Sequence, residues 1–343
     1  MLIPVAAVFS LAVISPLTNH HSVGVPEAYA YHVLSTSVVG GEGGWDYLTL
    51  DGSARRLYIS RGTHVMVLDA DSCKQTGDIT NTPGVHGIAI APALGRGFTS
   101  NGGDSTVTIF GLADLKEIAR VKVGQRPDAI MFDPATSRVF TFNAGTSDAT
   151  AVDAATGAVA GSVPLGGKPE FAVSDGKGTI FVNIEDKSEI IAFDAKTLAV
   201  KHHWPLAPGE EPSGLSIDIK HHRLFSTCHN NKMVVLDSES GKVVATPAIG
   251  AGTDASAFDS GEGLAFSSNG TDATLTIIKE EAPDKFVVLD NIKTEPGART
   301  MAIDPKKHRI YLVTAKVKAP MPGETTRRRA YEPGSFKVIV VGK

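Results

Sequence analysis

GGKPEFAVSDGKGTIFVNIEDKSEIIAFDAKTLAVKHHWPL, residues 166–206, is the stretch whose reading decides the fold of this 343-residue chain. It reads as four short strands joined by tight turns. An extended run over 170–174 meets a turn over 175–178; a second run, 179–184, reaches a polar turn over 185–188. A third run, 189–193, turns over 194–197 into a last strand that leads out through 200–204. β-Branched and aromatic residues fill the runs while Gly, Asp and Lys fill the joints, which is the pattern of successive antiparallel hairpins. No run is long or periodic enough for a helix.

The same unit recurs along the chain, and internal repetition outranks any single-residue reading. Copies open with GWDYLTLD at Gly44, GVHGIAIAP at Gly84, GQRPDAIMFDP at Gly124, GGKPEFAVSD at Gly166, GEEPSGLSID at Gly209, GAGTDASAFD at Gly250 and PGARTMAIDP at Pro296. Residues preceding the first strands, Asp46, Gly87, Asp128, Glu170, Ser213, Ala255 and Thr300, stand 41, 41, 42, 43, 42 and 45 apart. An independent register agrees, because Asp69, Gly111, Asp153, Asp194 and Asp237 open the third turns at intervals of 42, 42, 41 and 43. A single four-stranded meander cannot bury both its faces, whereas seven stacked radially can, so the expectation is an all-β, seven-bladed β-propeller. The last unit is one strand short, with runs at 300–304, 309–314 and 336–341, and an orphan strand at 32–39 precedes the first unit. Zipping that N-terminal strand onto the last blade closes the ring and removes an exposed edge.

The repeat makes residues 31–343 one domain although the length alone would suggest two. Hydrophobic residues at 42%, charged residues at 20% and 35 Gly suit a globular protein rich in turns. Residues 1–30 stand outside the repeat. Positions 2–17 carry no charge, and Ala28, Tyr29 and Ala30 form the small-any-small pattern of a signal-peptidase site, so a signal peptide and a mature start at Tyr31 are expected, with periplasmic or secreted localisation. That apolar run is shorter than the roughly twenty residues a membrane span needs and holds Pro4 and Pro16, so no transmembrane span is expected in the mature chain. Export permits disulfides, but Cys73 and Cys228 fall four blades apart near opposite faces and are expected as two unpaired thiols.

Loops entering the first strands and loops leaving the second strands share one face, around the mouth of the central channel. The entering loops supply Trp45, Asp46, His86, Asp128, Glu170, Glu211, Ser213, Asp254 and Arg299; the others supply Arg61, Asn101, Asn143, Asn183, Glu185, His229, Asn230 and Asn269. From this ring the candidate ligand-binding residues are Trp45, Asp46, Arg61, His86, Asn101, Asp128, Asn143, Glu170, Asn183, Glu185, His229, Asn269 and Arg299. Asn101, Asn143 and Asn269, in TSNGG, TFNAG and SSNGT, read equally well as turn residues whose amides bond nearby backbone. No cofactor is expected, though calcium takes carboxylate and amide oxygens, and Asp128, Asn143, Glu170 and Asn183 are the set that could hold it.

The opposite face is basic: its turns carry Arg55, Arg56, Arg96, Arg138, Lys177, Lys220, Arg223, Lys306, Lys307 and Arg309. With a net charge of −4, the excess acid must lie elsewhere, so the faces are expected to differ in sign. A basic rim can hold polyanions or lipid headgroups, but there is no aromatic series of the kind that stacks single-stranded bases, and nucleic acid is not an expected partner. Residues 315–335, AKVKAPMPGETTRRRAYEPGS, form an insertion far longer than the other loops, on the face of the polar ring, and read as a flap or a disordered segment. The chain holds no nucleophile elbow, zinc-spaced His or Cys set, CxxCH or phosphate loop.

VFTFN, IFVNIEDKSEIIAFDAKT, RIYLV and the closing GSFKVIVVGK resemble the YncE-type, YVTN-repeat seven-bladed β-propellers of bacteria over essentially all of residues 31–343. The resemblance implies fold and export, not a reaction, because related propellers include binding modules, calcium-dependent lactonases and redox enzymes. The expectation is a monomeric binding or scaffold module that recognises a small polar ligand or a protein partner at the channel mouth. The competing expectation is a metal-dependent, calcium-type hydrolase or lactonase at the same mouth. A redox partner would need a close His pair, and His86 and His229 fall nearly across the channel.

Overall fold

A computed structural model describes residues 30–282, 284–318 and 331–343. All of the expected leader, 1–30, except Ala30, and the centre of the 315–335 insertion lie outside the described residues. Seven four-stranded antiparallel sheets make seven blades of a β-propeller, and among the described residues there is almost no helix. In the blade that set the repeat, blade 4, the strands are Pro169–Ser174, Thr179–Ile184, Glu189–Asp194 and Val200–Pro205. They lie within a residue of the expected bounds. In blade 7, Met301–Asp304, Arg309–Thr314 and Lys337–Gly342 take His32–Val38 as their fourth strand, with Thr36 opposite Ile339 and Val38 opposite Lys337.

The core follows from what a blade is. Alternating side chains along each strand make both faces apolar, and each face packs on the next blade. One buried cluster therefore sits at each of the seven interfaces. Leu57, Ile59, Met66 and Leu68 of blade 1 meet Tyr311, Val313, Val338 and Val340 of blade 7, and Phe140 and Phe142 of blade 3 meet Ile180 and Val182 of blade 4. The other five junctions repeat the arrangement. Both cysteines are free, as expected, and both are buried, Cys228 with no exposure at all.

The arginines of the basic face turn out to be joints between blades. Arg138, which opens the second strand of blade 3, donates to the carbonyls of Ala195 at 2.7 Å and Lys196 at 2.9 Å in the turn of blade 4. Arg96 bonds Ala154 and Ala155, Arg56 bonds Leu112, and Arg223 reaches Asp284 at 2.6 Å, each in the next blade. At the closing interface Arg55 pairs with Asp304, and Asp71 draws in Arg55, Lys307 and Arg309. Much of the positive charge on this face is thus spoken for by neighbouring blades.

Removal of residues 32–38 is expected to leave Lys337–Gly342 as an open edge. A variant lacking that strand should lose monomeric, cooperative unfolding or melt roughly 10 °C or more below the intact protein, since about 1 kcal/mol moves a chain of this size by a few degrees. Size-exclusion chromatography with a thermal melt decides it; an unchanged melt in the truncated protein would contradict ring closure as the source of stability.

Candidate functional site at the channel mouth

The residues at the mouth are aimed by a device repeated in five blades. In blades 2 to 6 the first strand slips register against the second at the same place: between Val85 and Ile88, Pro127 and Ile130, Pro169 and Ala172, Pro212 and Leu215, and Thr253 and Ala255. Such a bulge re-aims the side chain it carries. The residues carried are His86, Asp128, Glu170, Ser213 and Asp254. In blades 1 and 7 the first strand starts later, at Leu48 and Met301, and Asp46 and Arg299 come from the loop just ahead.

These groups link from blade to blade. Arg299 of blade 7 donates through Nε to Asp254 of blade 6 at 2.6 Å and stands 3.6 Å from Asp46 of blade 1. Asp254 accepts from Ser213 Oγ of blade 5 at 2.8 Å. Asp46 Oδ2 lies 2.6 Å from His86 Nδ1 of blade 2, which is 3.6 Å from Asp128 Oδ1 of blade 3. In blade 4, Lys168 bridges Glu170, at 2.7 Å, to Glu185. Every blade contributes a side chain. Of the expected ligand residues, Asp46, His86, Asp128, Glu170, Glu185 and Arg299 are brought together, and half-exposed His229 lines the same face beside Asp254 and Arg299.

The electrostatics are those of crowded carboxylates. Burial pushes Glu170 up to about 8, with the charge of Asp128 adding to it. Burial raises Asp128 to about 6; His86 pulls it down, and the charges of Asp46 and Asp254 push it further up. Loss of hydration also raises Asp254, against the pull of Arg299. Burial disfavours the charged form of His86, but its bond to Asp46 and the charges of Asp128 and Glu170 turn the balance, so it holds its proton above the usual histidine range. Beneath them lies Tyr47, whose hydroxyl is held far above its usual range by burial and by Asp128, Glu170, Asp46 and Asp254 together. Its ring meets Phe171 of blade 4 at 4.5 Å across the channel, which narrows there. Below that contact the channel wall turns largely apolar, through Val173, Leu215, Ile217 and Met301.

Several expected ligand residues have other work. Asn101, Asn143 and Asn269 have no exposure: each accepts from a hydroxyl two residues earlier (Thr99, Thr141, Ser267) and donates to the third strand, as Asn101 does to Thr106 and Thr108. They are cross-strand pins inside a blade, a role distinct from both the ligand reading and the turn reading. Asn183 belongs to a different register. It pairs with Ile190 one position before the strand end, as Ser100 and Ser268 do in their blades, and its amide donates to the carbonyls of Ser213 and Gly214. Ser100 and Ser268 likewise hold the backbone of Asp128 and Arg299.

Arg61 is 1% exposed, with its guanidinium stacked 3.7 Å over Phe336 and bonded to the carbonyls of Gly40, Gly41, Gly43 and Gly44. Burial lowers it to about 10. It anchors the link between the N-terminal strand and blade 1. Trp45 is buried between Tyr331 and Phe336 and serves as the wall behind Asp46.

The calcium set of Asp128, Asn143, Glu170 and Asn183 is therefore not assembled, since both amides are consumed inside the fold. The metal-capable cluster at the mouth is Asp46, His86 and Asp128, whose ligand atoms all lie within 4.8 Å of one another. Sequence reasoning placed Asp254 in the ring without choosing it, and it missed Tyr47, Lys168 and Tyr331. Tyr331, from the long insertion, lines two cavities of about 390 and 440 Å³ on either side of Arg299. An aromatic residue at the end of an insertion on this face was the available signal.

No protein-family model and no curated protein matches the chain. Among solved structures, a chain of the Kuenenia stuttgartiensis hydrazine synthase aligns over 82% of this chain and 95% of its own length, with TM-score 0.72 and 14% identity. A chain in the crystal structure of a mitotic checkpoint complex aligns over 98% and 99%, with TM-score 0.75 and 10% identity. The likeness is one of fold. It places this chain among β-propellers and carries no activity with it.

Since Glu170 keeps its proton in the folded chain up to about pH 8 and loses it near 4.5 when unfolded, its contribution to stability is full below the lower value and lost as pH rises through the upper one. Glu170→Gln, which is neutral throughout, should gain about 1–2 kcal/mol on the wild type between about pH 5 and pH 9. Urea unfolding at the two pH values measures it, and a gap that shrinks toward alkaline pH would be the wrong sign.

Proposed function

We propose that this protein is a binding module whose channel mouth takes a small polar ligand bearing a positively charged hydrogen-bond donor. The observation that carries the reading is the convergence of Asp46, Asp128, Glu170 and Asp254, from four blades, over the single hydroxyl of Tyr47. Carboxylates forced together retain protons they would otherwise lose, and a cationic donor relieves that repulsion better than a proton or water does. Arg299 and Lys168 are already paired, so they orient the acids and leave the mouth short of positive charge. Aromatic Tyr331 and Trp45 beside Arg299 give an organic cation an apolar wall. A YncE-type relationship, export through residues 1–30 to the periplasm or medium and action as a monomer complete the proposal; they rest on the sequence motifs.

A titration of the purified protein with primary amines, polyamines and guanidines against matched carboxylic acids tests this. Cations should raise the melting temperature and bind saturably, and Asp128→Asn and Asp254→Asn should each weaken binding about tenfold or more. Equal binding of the matched acids would overturn it.

The second reading, a metal-dependent hydrolase, is favoured by one observation: the atoms of Asp46, His86 and Asp128 that converge within 4.8 Å. One imidazole and two carboxylates suit a borderline ion such as zinc better than calcium. A bound ion would displace the proton between His86 and Asp46, polarise a carbonyl and activate water. Elemental analysis after purification without chelators should then show about one equivalent of metal that His86→Ala abolishes; a metal content unaffected by that variant would exclude this cluster as the site.

A further inference from the structure

The inter-blade arginine joint is missing in blade 6, where Leu264 opens the second strand, and in blade 4. In blades 1, 2, 3 and 5 the residue opening the second strand is Arg56, Arg96, Arg138 or Arg223, each paired with the residue that opens the third turn of its own blade, and each reaches the third turn of the next blade or beyond it. In blade 4 the same position, opposite Asp194, is Thr179. Its hydroxyl cannot cross to blade 5. Among the described residues no donor of the protein reaches the carbonyls of Ser238 or Glu239, the counterparts of Ala195 and Lys196.

The space left is a cavity of about 270 Å³ between blades 4 and 5, lined by Thr179, Phe181, Trp204, Ile217, Ser238 and Glu239. Its apolar wall is rigid. Trp204 stacks between Phe181 and His202 at 5.8 and 5.4 Å, and Gly241, at φ +71°, lets the blade 5 turn lie flat on the indole, where a Cβ would come within 2.3 Å of the ring. The rim carries Asp175, Lys177 and the largely exposed Glu239; Lys201 is drawn off by Asp194 at 3.0 Å, and His222 stands 3.7 Å from Glu239.

From these observations we infer that the slot between blades 4 and 5 is a binding site for an arginine side chain supplied by a peptide or protein partner. The guanidinium would take the place that the protein's own arginines fill after blades 1, 2, 3 and 5, donating to the turn carbonyls of Ser238 and Glu239, with its stem along Phe181 and Ile217. A planar fork with several donors fits two adjacent carbonyls; an ammonium satisfies them less well. The site lies on the face opposite the channel mouth and does not depend on the function proposed there.

The test uses a blocked Ala-Arg-Ala peptide, with Lys and citrulline counterparts and free arginine, titrated into Trp45→Phe protein so that Trp204 is the one indole reporter. Expected are saturable binding of the Arg peptide with a dissociation constant of about 1 mM or below and a loss of about tenfold or more for Lys and citrulline. Thr179→Arg should abolish binding and raise the unfolding midpoint, because it restores the joint. Ile219→Phe, on the exposed rim, should block the slot without entering the core or adding an indole and serves if Thr179→Arg folds poorly. The inference is overturned if the Arg peptide does not bind, if Lys or citrulline binds as well, if free arginine binds more tightly than the peptide, or if the correctly folded blocking variant binds as the wild type does.

Discussion

Ring closure is the constraint on which the molecule depends. A twisted four-stranded sheet with two apolar faces is not stable alone, and here each face is buried only because the next blade is present. The seventh junction exists only if the first described strand, His32–Val38, pairs with the last, Lys337–Gly342. Arg61 makes that possible from the other side by binding the carbonyls of Gly40, Gly41, Gly43 and Gly44, in the segment that carries the chain from the closing strand into blade 1. A buried guanidinium is costly to desolvate, and it is held here by several carbonyls and an aromatic ring rather than by a counter-ion.

The same closure creates the site. First strands converge on the axis with their starts on one face, so whatever side chain sits at the bulge is pointed at its counterparts in the other blades. The bulge is a backbone feature and recurs whether it carries His86, Asp128, Glu170, Ser213 or Asp254. The scaffold can therefore vary its chemistry blade by blade without changing shape. Second-strand residues Ser100, Asn183 and Ser268 secure the backbone of the adjoining blade and keep the like-charged acids in place. Stability is given up in exchange, since burial and mutual repulsion raise both Glu170 and Asp128 above the usual carboxylate range.

The two faces of the ring solve different problems with the same residue types. On the mouth face, charges are unevenly matched and gathered around open cavities. On the opposite face, arginines and turn carbonyls are matched one blade to the next, and the positive charge that looks like a polyanion surface when read along the chain is largely engaged in holding blades together.

Repetition made the fold legible. Seven copies at a spacing near 42 residues, with Gly and Asp at fixed joints, specify strand number, blade count and the location of the closing strand, because those depend on local hairpin chemistry repeated often enough to be unmistakable. The mouth was legible as a face: Asp46, His86, Asp128, Glu170, Glu185 and Arg299 follow from the register alone. What each side chain does there was not. Asn101 and Asp128 look equally polar in sequence, yet one bonds three threonines inside its own blade and the other faces Asp46, Glu170 and Asp254 of other blades. The direction of a side chain at a strand end turns on a one-residue register, as Asn183 shows, and on a bulge that leaves no composition signal. Which atoms meet across a ring is set by residues tens or hundreds of positions apart, and that was decided only when the ring closed.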